Sequence, residues 1–177
     1  TSLRQREDDL YGILNGVDYA IWNPETDNLI PYHYTINDLS GKYLNKKSLL
    51  KHFEIQPDEN IPLIGIVSRM ALQKGFDIFA DSINELMGLN AQWIILGSGE
   101  DRFEMLFRKL SNLFPGKVGT YIGYNNELSH LIEAGADMFL MPSRYEPCGL
   151  NQIYSLKYGT VPIVRKTGGL ADTVKDW

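Results

Sequence analysis

A chain of 177 residues is long enough for one well-packed domain and short for two. Hydrophobic residues make up 44%, charged residues 22%, and the formal net charge is -5, an ordinary globular profile that disfavours nucleic-acid binding through a basic face. No apolar run approaches the roughly 18 residues of a membrane span, the opening TSLRQREDD lacks the apolar region of a signal peptide, and a single cysteine cannot close an internal disulfide, so a reducing, cytoplasmic setting away from membranes is expected.

Residues 1–61 are turn-rich and lack a sustained period, as in GILNGVDYAIWNPETDNLIPYHYTIND, and read as an arm or interdomain linker. Within them LSGKYLNKKSLLKHF (39–53) is expected to form a short amphipathic helix, with Asp38 as N-cap and Leu39, Tyr43, Leu50 and Phe53 on its buried side. From residue 62 the pattern changes. PLIGIVS (62–68), AQWIILG (91–97), KVGTYIG (117–123), DMFLMP (137–142) and TVPIVR (160–165) are short apolar runs bounded by Gly, Pro or polar residues, the signature of buried strands. Between them GFDIFADSINELMGL (75–89), RFEMLFRKLSNLF (102–114) and NELSHLIEAGA (126–136) repeat apolar residues at three- and four-residue spacing and predict helices. Strands alternating with helices predict an α/β fold: a Rossmann-like, doubly wound parallel sheet over residues 62–177.

Ligands of such sheets bind outside the carboxyl ends of the strands. Each unusual polar cluster of this sequence follows a strand: Arg69 and Lys74 after the first, Gly97 and Gly99 after and at the end of the second, Tyr124 after the third, SRYEPCGLN after the fourth and KTGGL after the fifth. Every cluster has a plain alternative. The two cations can be solvated surface charges, Gly97 and Gly99 a tight turn, Tyr124 a packed corner residue, Gly168 and Gly169 a simple turn, and Glu146 a helix-capping carboxylate. Cys148 has no histidine in its turn and reads as a packing residue before a nucleophile. Jointly, the cations, glycine turns, aromatic and carboxylate suggest a nucleotide diphosphate carrying a polar group, with the cations on phosphates, Tyr124 on the base and Glu146 on a sugar. No Asp-x-Asp pair occurs, and His33, His52 and His130 are scattered, so no metal site is expected and Arg69 and Lys74 must supply the compensating charge.

The segments NGVDYAIWNPETD, SRMALQKG, GSGE and SRYEPCGLNQIYSLKYGTVPIVRKTGGLADTV, in this spacing, resemble the C-terminal half of bacterial glycogen synthases and plant starch synthases. The resemblance implies a retaining glucosyltransferase of the two-domain GT-B architecture, transferring glucose from ADP-glucose to the non-reducing end of an α-1,4-glucan without a metal or other cofactor. It implies that Arg69 and Lys74 meet the donor diphosphate and that Glu146, the first carboxylate of an E-x7-E pattern, meets the transferred glucose. It further implies that Tyr124 lies near adenine and that Gly97, Gly99, Cys148, Gly149, Leu150, Thr167, Gly168 and Gly169 belong to the donor-binding loops. Two positions depart from the pattern: Tyr154 replaces the second Glu, which leaves the ribose contact open, and Asn151 stands where relatives commonly carry Thr.

A Lys-x-Gly-Gly loop and a histidine that the family places in an N-terminal domain have no counterpart here, nor do a final strand and helices after Trp177. With Thr1 as first residue, the expectation is a donor-binding piece of a longer protein, cut short at its C-terminal end and inactive without its N-terminal domain. UDP-glucose remains open as donor. A nucleotide-sugar epimerase on the same scaffold and a non-catalytic nucleotide-binding module are the alternatives.

Overall fold

Five short apolar runs pair side by side in the computed structural model, which describes residues 4–13 and 15–176. They are β1 (Leu63–Val67), β2 (Gln92–Gly97), β3 (Val118–Ile122), β4 (Met138–Met141) and β5 (Val161–Val164), all parallel, in the order β3-β2-β1-β4-β5. Each lies inside its expected run. The order reverses between β1 and β4, which makes the carboxyl ends of these two strands the switch point where a crevice opens.

Both faces of the sheet are covered, which is why β1 and, after Gln92, β2 read as continuous apolar runs instead of alternating. On one side α2 (Phe76–Asp81), α3 (Ile83–Gly88) and α4 (Asp101–Leu113) bring Phe76, Phe79, Met87, Phe103 and Phe107 onto Ile66, Trp93 and Ile95. On the other, α1 (Ser40–His52) and α5 (Asn126–Gly135) pack Leu49, Leu50, Leu128 and Ile132 against Ile94, Leu96 and Phe139. Two short helices follow β4 and β5, α6 (Asn151–Lys157) and α7 (Gly168–Thr173).

The single helix expected over 75–89 is two, divided at Ser82, whose φ of -99° and ψ of 16° leave the helical region. The break lets Phe76 and Phe79 on one half and Met87 on the other share one core. A second correction concerns α1. Leu39 precedes that helix and is 53% exposed; the buried face carries Gly41, Asn45, Lys46, Leu49 and Leu50. Asp38 does serve the helix start, its Oδ1 accepting the Ser40 amide at 3.0 Å, although Leu39 occupies the N-cap position. Polar groups enter the buried face because each has a partner: Lys46 Nζ donates to Asp137 Oδ2 at 2.7 Å and to the Ile61 carbonyl at 2.8 Å, and Asn45 Nδ2 to the Tyr32 carbonyl at 2.7 Å.

The turn-rich N-terminal stretch divides in two. Arg4–Asp9 form a 3₁₀ helix with no buried residue. From Trp22 onward the chain lies against the sheet domain, where Ile30 and Tyr34 form a small core with Ala134 and Tyr158. At its centre Asp27 is 3% exposed. Its carboxylate meets His130 Nδ1 at 2.8 Å and accepts the Tyr158 hydroxyl at 2.6 Å and the Leu29 amide at 2.9 Å. Burial alone would push this carboxyl up, but those hydrogen bonds outweigh it and hold Asp27 below the usual carboxylate range.

Candidate functional site

A cleft of about 810 Å³ opens at the carboxyl ends of the strands, across the switch point. Arg69, Lys74, Gly97 and Tyr124 line it, and so do Glu146, Cys148, Gly149 and Leu150. Gly99, Thr167, Gly168 and Gly169 do not. Gly99 instead bridges to Met70 and donates its amide to Glu104 Oε1 at 2.9 Å. Thr167 donates its hydroxyl to the Arg144 carbonyl at 3.4 Å, and Gly168 opens α7 behind the Glu146 loop. The Gly169 amide is already used, donating to the Glu146 carbonyl at 2.9 Å, and a Cβ there would lie 2.4 Å from Cys148 Cα. These last three residues therefore back the cleft wall and shape it from behind.

The two cations read as equivalents in the sequence occupy different environments. Arg69 is exposed where β1 runs out, its guanidinium donating to Gln73 Oε1 at 3.3 Å, and it has no carboxylate partner among the described residues. Lys74 is half-buried and forms an ion pair with Glu146 Oε2. Gly75 makes that pairing possible. With φ at +76° it adopts the left-handed conformation glycine favours, and a Cβ would stand 1.9 Å from the Pro142 carbonyl oxygen. The turn after Lys74 thus rests on the exit of β4, which delivers the Glu146 loop.

Further stitches hold the two segments together. The Arg144 amide donates to the Gln73 carbonyl at 2.9 Å, Gln73 Nε2 donates to the Tyr145 carbonyl at 3.2 Å, and Arg144 Nε donates to Asp77 Oδ2 at 2.9 Å. Arg144 in turn holds the Asp77 carboxyl below its ordinary range. Of the two cations that line the cleft, Lys74 is paired with Glu146, whereas Arg69 has no carboxylate beside it among the described residues.

Tyr124 is 86% exposed and its hydroxyl donates to Asn126 Oδ1 at 3.4 Å, so its ring is open to a stacking partner. The amides of Gly149 and Leu150 have no acceptor among the described residues. Asn151 Nδ2 ties this turn to the Val67 carbonyl at the end of β1, at 3.1 Å. The recorded bonds at Cys148 run through its backbone, the carbonyl accepting Gln152 Nε2 at 3.0 Å. Among the described residues no group of three or more His, Cys, Asp or Glu could hold a metal ion, and no helix is long and apolar enough to cross a membrane.

One wall of the cleft went unread in the sequence. Trp22 borders it, its ring stacked between His130 at 3.7 Å and Tyr154 at 3.9 Å. Ser129 and Glu133, on α5, border it as well. Glu133 is buried; Ser155 Oγ lies 2.8 Å from its Oε2, and its Oε1 has no partner among the described residues. Desolvation pushes its carboxyl up to about 8, against the opposing pull of Ser155 and Lys42. The available signal was a Glu set between Ile132 and Ala134 in the apolar half of α5, seven residues after Asn126 and thus on the same helix face.

Comparison with known proteins places these residues in context. The family model described as "Glycosyl transferases group 1" matches residues 48–177. Glycogen synthase 1 of Geobacter metallireducens is 53% identical over 99% of this chain and 35% of its own length, and the glycogen synthase of Koribacter versatilis is 52% identical over 99% and 36%. The chain spans about a third of the length of these curated relatives. Among solved structures, the catalytic domain of starch synthase IV from Arabidopsis thaliana, bound to ADP and acarbose, superposes with a TM-score of 0.92 at 37% identity, over 99% of this chain and 36% of that one.

Proposed function

The chain belongs to the group 1 glycosyl transferases, and from that premise we propose that it is the donor-binding part of a glycogen or starch synthase. In this reading ADP-glucose lies in the cleft, the acceptor is the non-reducing end of an α-1,4-glucan, and the remaining length of the enzyme supplies the facing domain. The observation that carries it is the Lys74–Glu146 pair beside an uncompensated Arg69, at the switch point of a parallel sheet. Two of those groups suit a diphosphate, and the third suits the hydroxyls of the sugar attached to it. An ammonium has three N–H donors, so Lys74 can hold Glu146 and still reach a phosphate oxygen.

The chemistry follows from that charge arrangement. The bond between glucose C1 and the β-phosphate oxygen breaks as the acceptor hydroxyl oxygen bonds to C1 from the same face. The acceptor proton passes to the departing phosphate oxygen, and ADP leaves. Negative charge grows on the leaving diphosphate during this step, so Arg69 and Lys74 stabilise the transition state more than the bound donor. Tyr124 supplies a face for the adenine ring.

The test is donor specificity of the complete protein, measured as glucose incorporation into a maltooligosaccharide from ADP-glucose and from UDP-glucose. Transfer from ADP-glucose that requires the glucan is expected. Turnover of the donor without any acceptor, or nucleotide binding with no transfer at all, would overturn the assignment.

A further inference from the structure

Asn126, Ser129 and Glu133 recur at three- and four-residue spacing on one face of α5, and all three border the cleft. The row starts beside the exposed ring of Tyr124, whose hydroxyl meets Asn126. It ends on a carboxyl that is 1% exposed. From there a hydrogen-bonded path continues through Ser155 and Asn151 to the Val67 carbonyl, two residues before Arg69. The row therefore spans from the stacking platform to the strand exit that carries the cation.

The hydrogen bonds at Ser155 fix what Glu133 presents. Ser155 Oγ lies 2.8 Å from Glu133 Oε2 and 2.8 Å from the Asn151 carbonyl oxygen, yet a hydroxyl has one proton. Both contacts are satisfied if Glu133 carries a proton on Oε2 and donates it to Ser155, while Ser155 donates to Asn151. The elevated affinity of this buried carboxyl for its proton, with a value of about 8, agrees with that arrangement. Oε1 is then a neutral, carbonyl-like acceptor. It has no partner among the described residues, and a buried acceptor left idle is costly. A neutral acceptor also adds no negative charge beside a diphosphate.

We propose that Glu133 is a specificity residue for the nucleotide, its Oε1 accepting a hydroxyl of the ribose that joins the base on Tyr124 to the phosphates at Arg69. Position 154 cannot make this contact with a carboxylate, because Tyr154 stands there with its ring stacked on Trp22. The inference rests on the reading that a nucleotide sugar occupies the cleft, and it makes Ser155 the positioning partner that holds the carboxyl in one orientation.

The experiment is calorimetric titration of the complete protein with ADP and with 2′,3′-dideoxy-ADP, for the parent, Glu133→Gln and Glu133→Leu, with thermal melts to check folding. The parent is expected to bind ADP about tenfold more tightly than the dideoxy analogue, the size of one buried hydrogen bond. Glu133→Gln keeps a carbonyl acceptor and should keep that ratio; Glu133→Leu should bind both nucleotides alike. Equal binding of the two nucleotides by the parent overturns the inference whatever the variants do, as does an undiminished ratio in a folded Glu133→Leu. Should Glu133→Leu fail to fold, Glu133→Met replaces it with the same expectation. No ADP binding by the parent would instead overturn the underlying reading of the cleft.

Discussion

The cleft has two walls that handle charge in opposite ways. On the wall built from the loops after β1 and β4, Arg69, Lys74 and Glu146 are cations and a carboxylate reachable from the cleft, with Arg69 exposed. On the wall built from α5 and the N-terminal stretch, Glu133 borders the cleft and His130 and Asp27 lie behind it, all three buried and tied to neighbours by short hydrogen bonds. The first wall presents charged groups to the cleft; the second ties its titratable groups to neighbours, apart from Glu133 Oε1, which has no partner among the described residues. A titratable residue beside a ligand site can thus serve either end, and its exposure and partners decide which.

The contrast breaks most sharply at Lys74. Lys74→Met in the complete protein should lower turnover by about 10²–10³-fold, the loss typical of one preorganised charge donor, and should lower thermal stability too, because Glu146 at 7% exposure is left without its counter-charge. Arg69→Met should lower turnover comparably while leaving the melting temperature unchanged. Equal melting losses for both variants would show that the first wall is as structural as the second.

Asp27→Ala sharpens the comparison from the other side. It removes the acceptor of two buried hydrogen bonds, so chemical denaturation should show a loss of about 3 kcal/mol. Donor KM should change less than kcat falls for Lys74→Met. A loss below about 1 kcal/mol would mean that the second wall does not depend on this carboxylate.

The smallest effect is a pH dependence. Glu133 holds its proton in the folded chain up to about 8, whereas an unfolded glutamic acid releases it near 4.5. Between these values the folded state binds more protons, so this group's stabilisation is full below about pH 4.5 and declines as pH rises through 8. Lys42, lowered by burial to about 8, contributes its own dependence only above that value. Melting curves of Glu133→Gln from pH 5 to 8 should decline less steeply than the parent's, ending a few degrees higher relative to it. Parallel curves would contradict a protonated Glu133.

How much of this was legible beforehand follows the same division. The five strands and the loops bearing Arg69, Lys74, Gly97, Tyr124 and Glu146 could be read because strand runs and strand-end clusters are local patterns. The interruption at Ser82 and the polar face of α1 were missed, since propensity and period do not reveal a partner such as Asp137 for Lys46, 91 residues away. The second wall was missed for the same reason. Asp27 and His130 are 103 positions apart, and Asp27 and Tyr158 are 131 apart. The difference between Arg69 and Lys74 was also invisible, because it arises from Gly75 resting on Pro142.

The stitches between residues 72–77 and 143–148 carry one more implication. The lysine and glutamate that meet in the cleft come from separate crossover units, yet main-chain and side-chain bonds from Gln73 and Asp77 to Arg144 and Tyr145 join them. Neither segment can fray by itself without tearing the other's bonds, so both should exchange their amide hydrogens as one cooperative unit. Lys74 and Glu146 are thereby held through one another's segments as well as through their own strands.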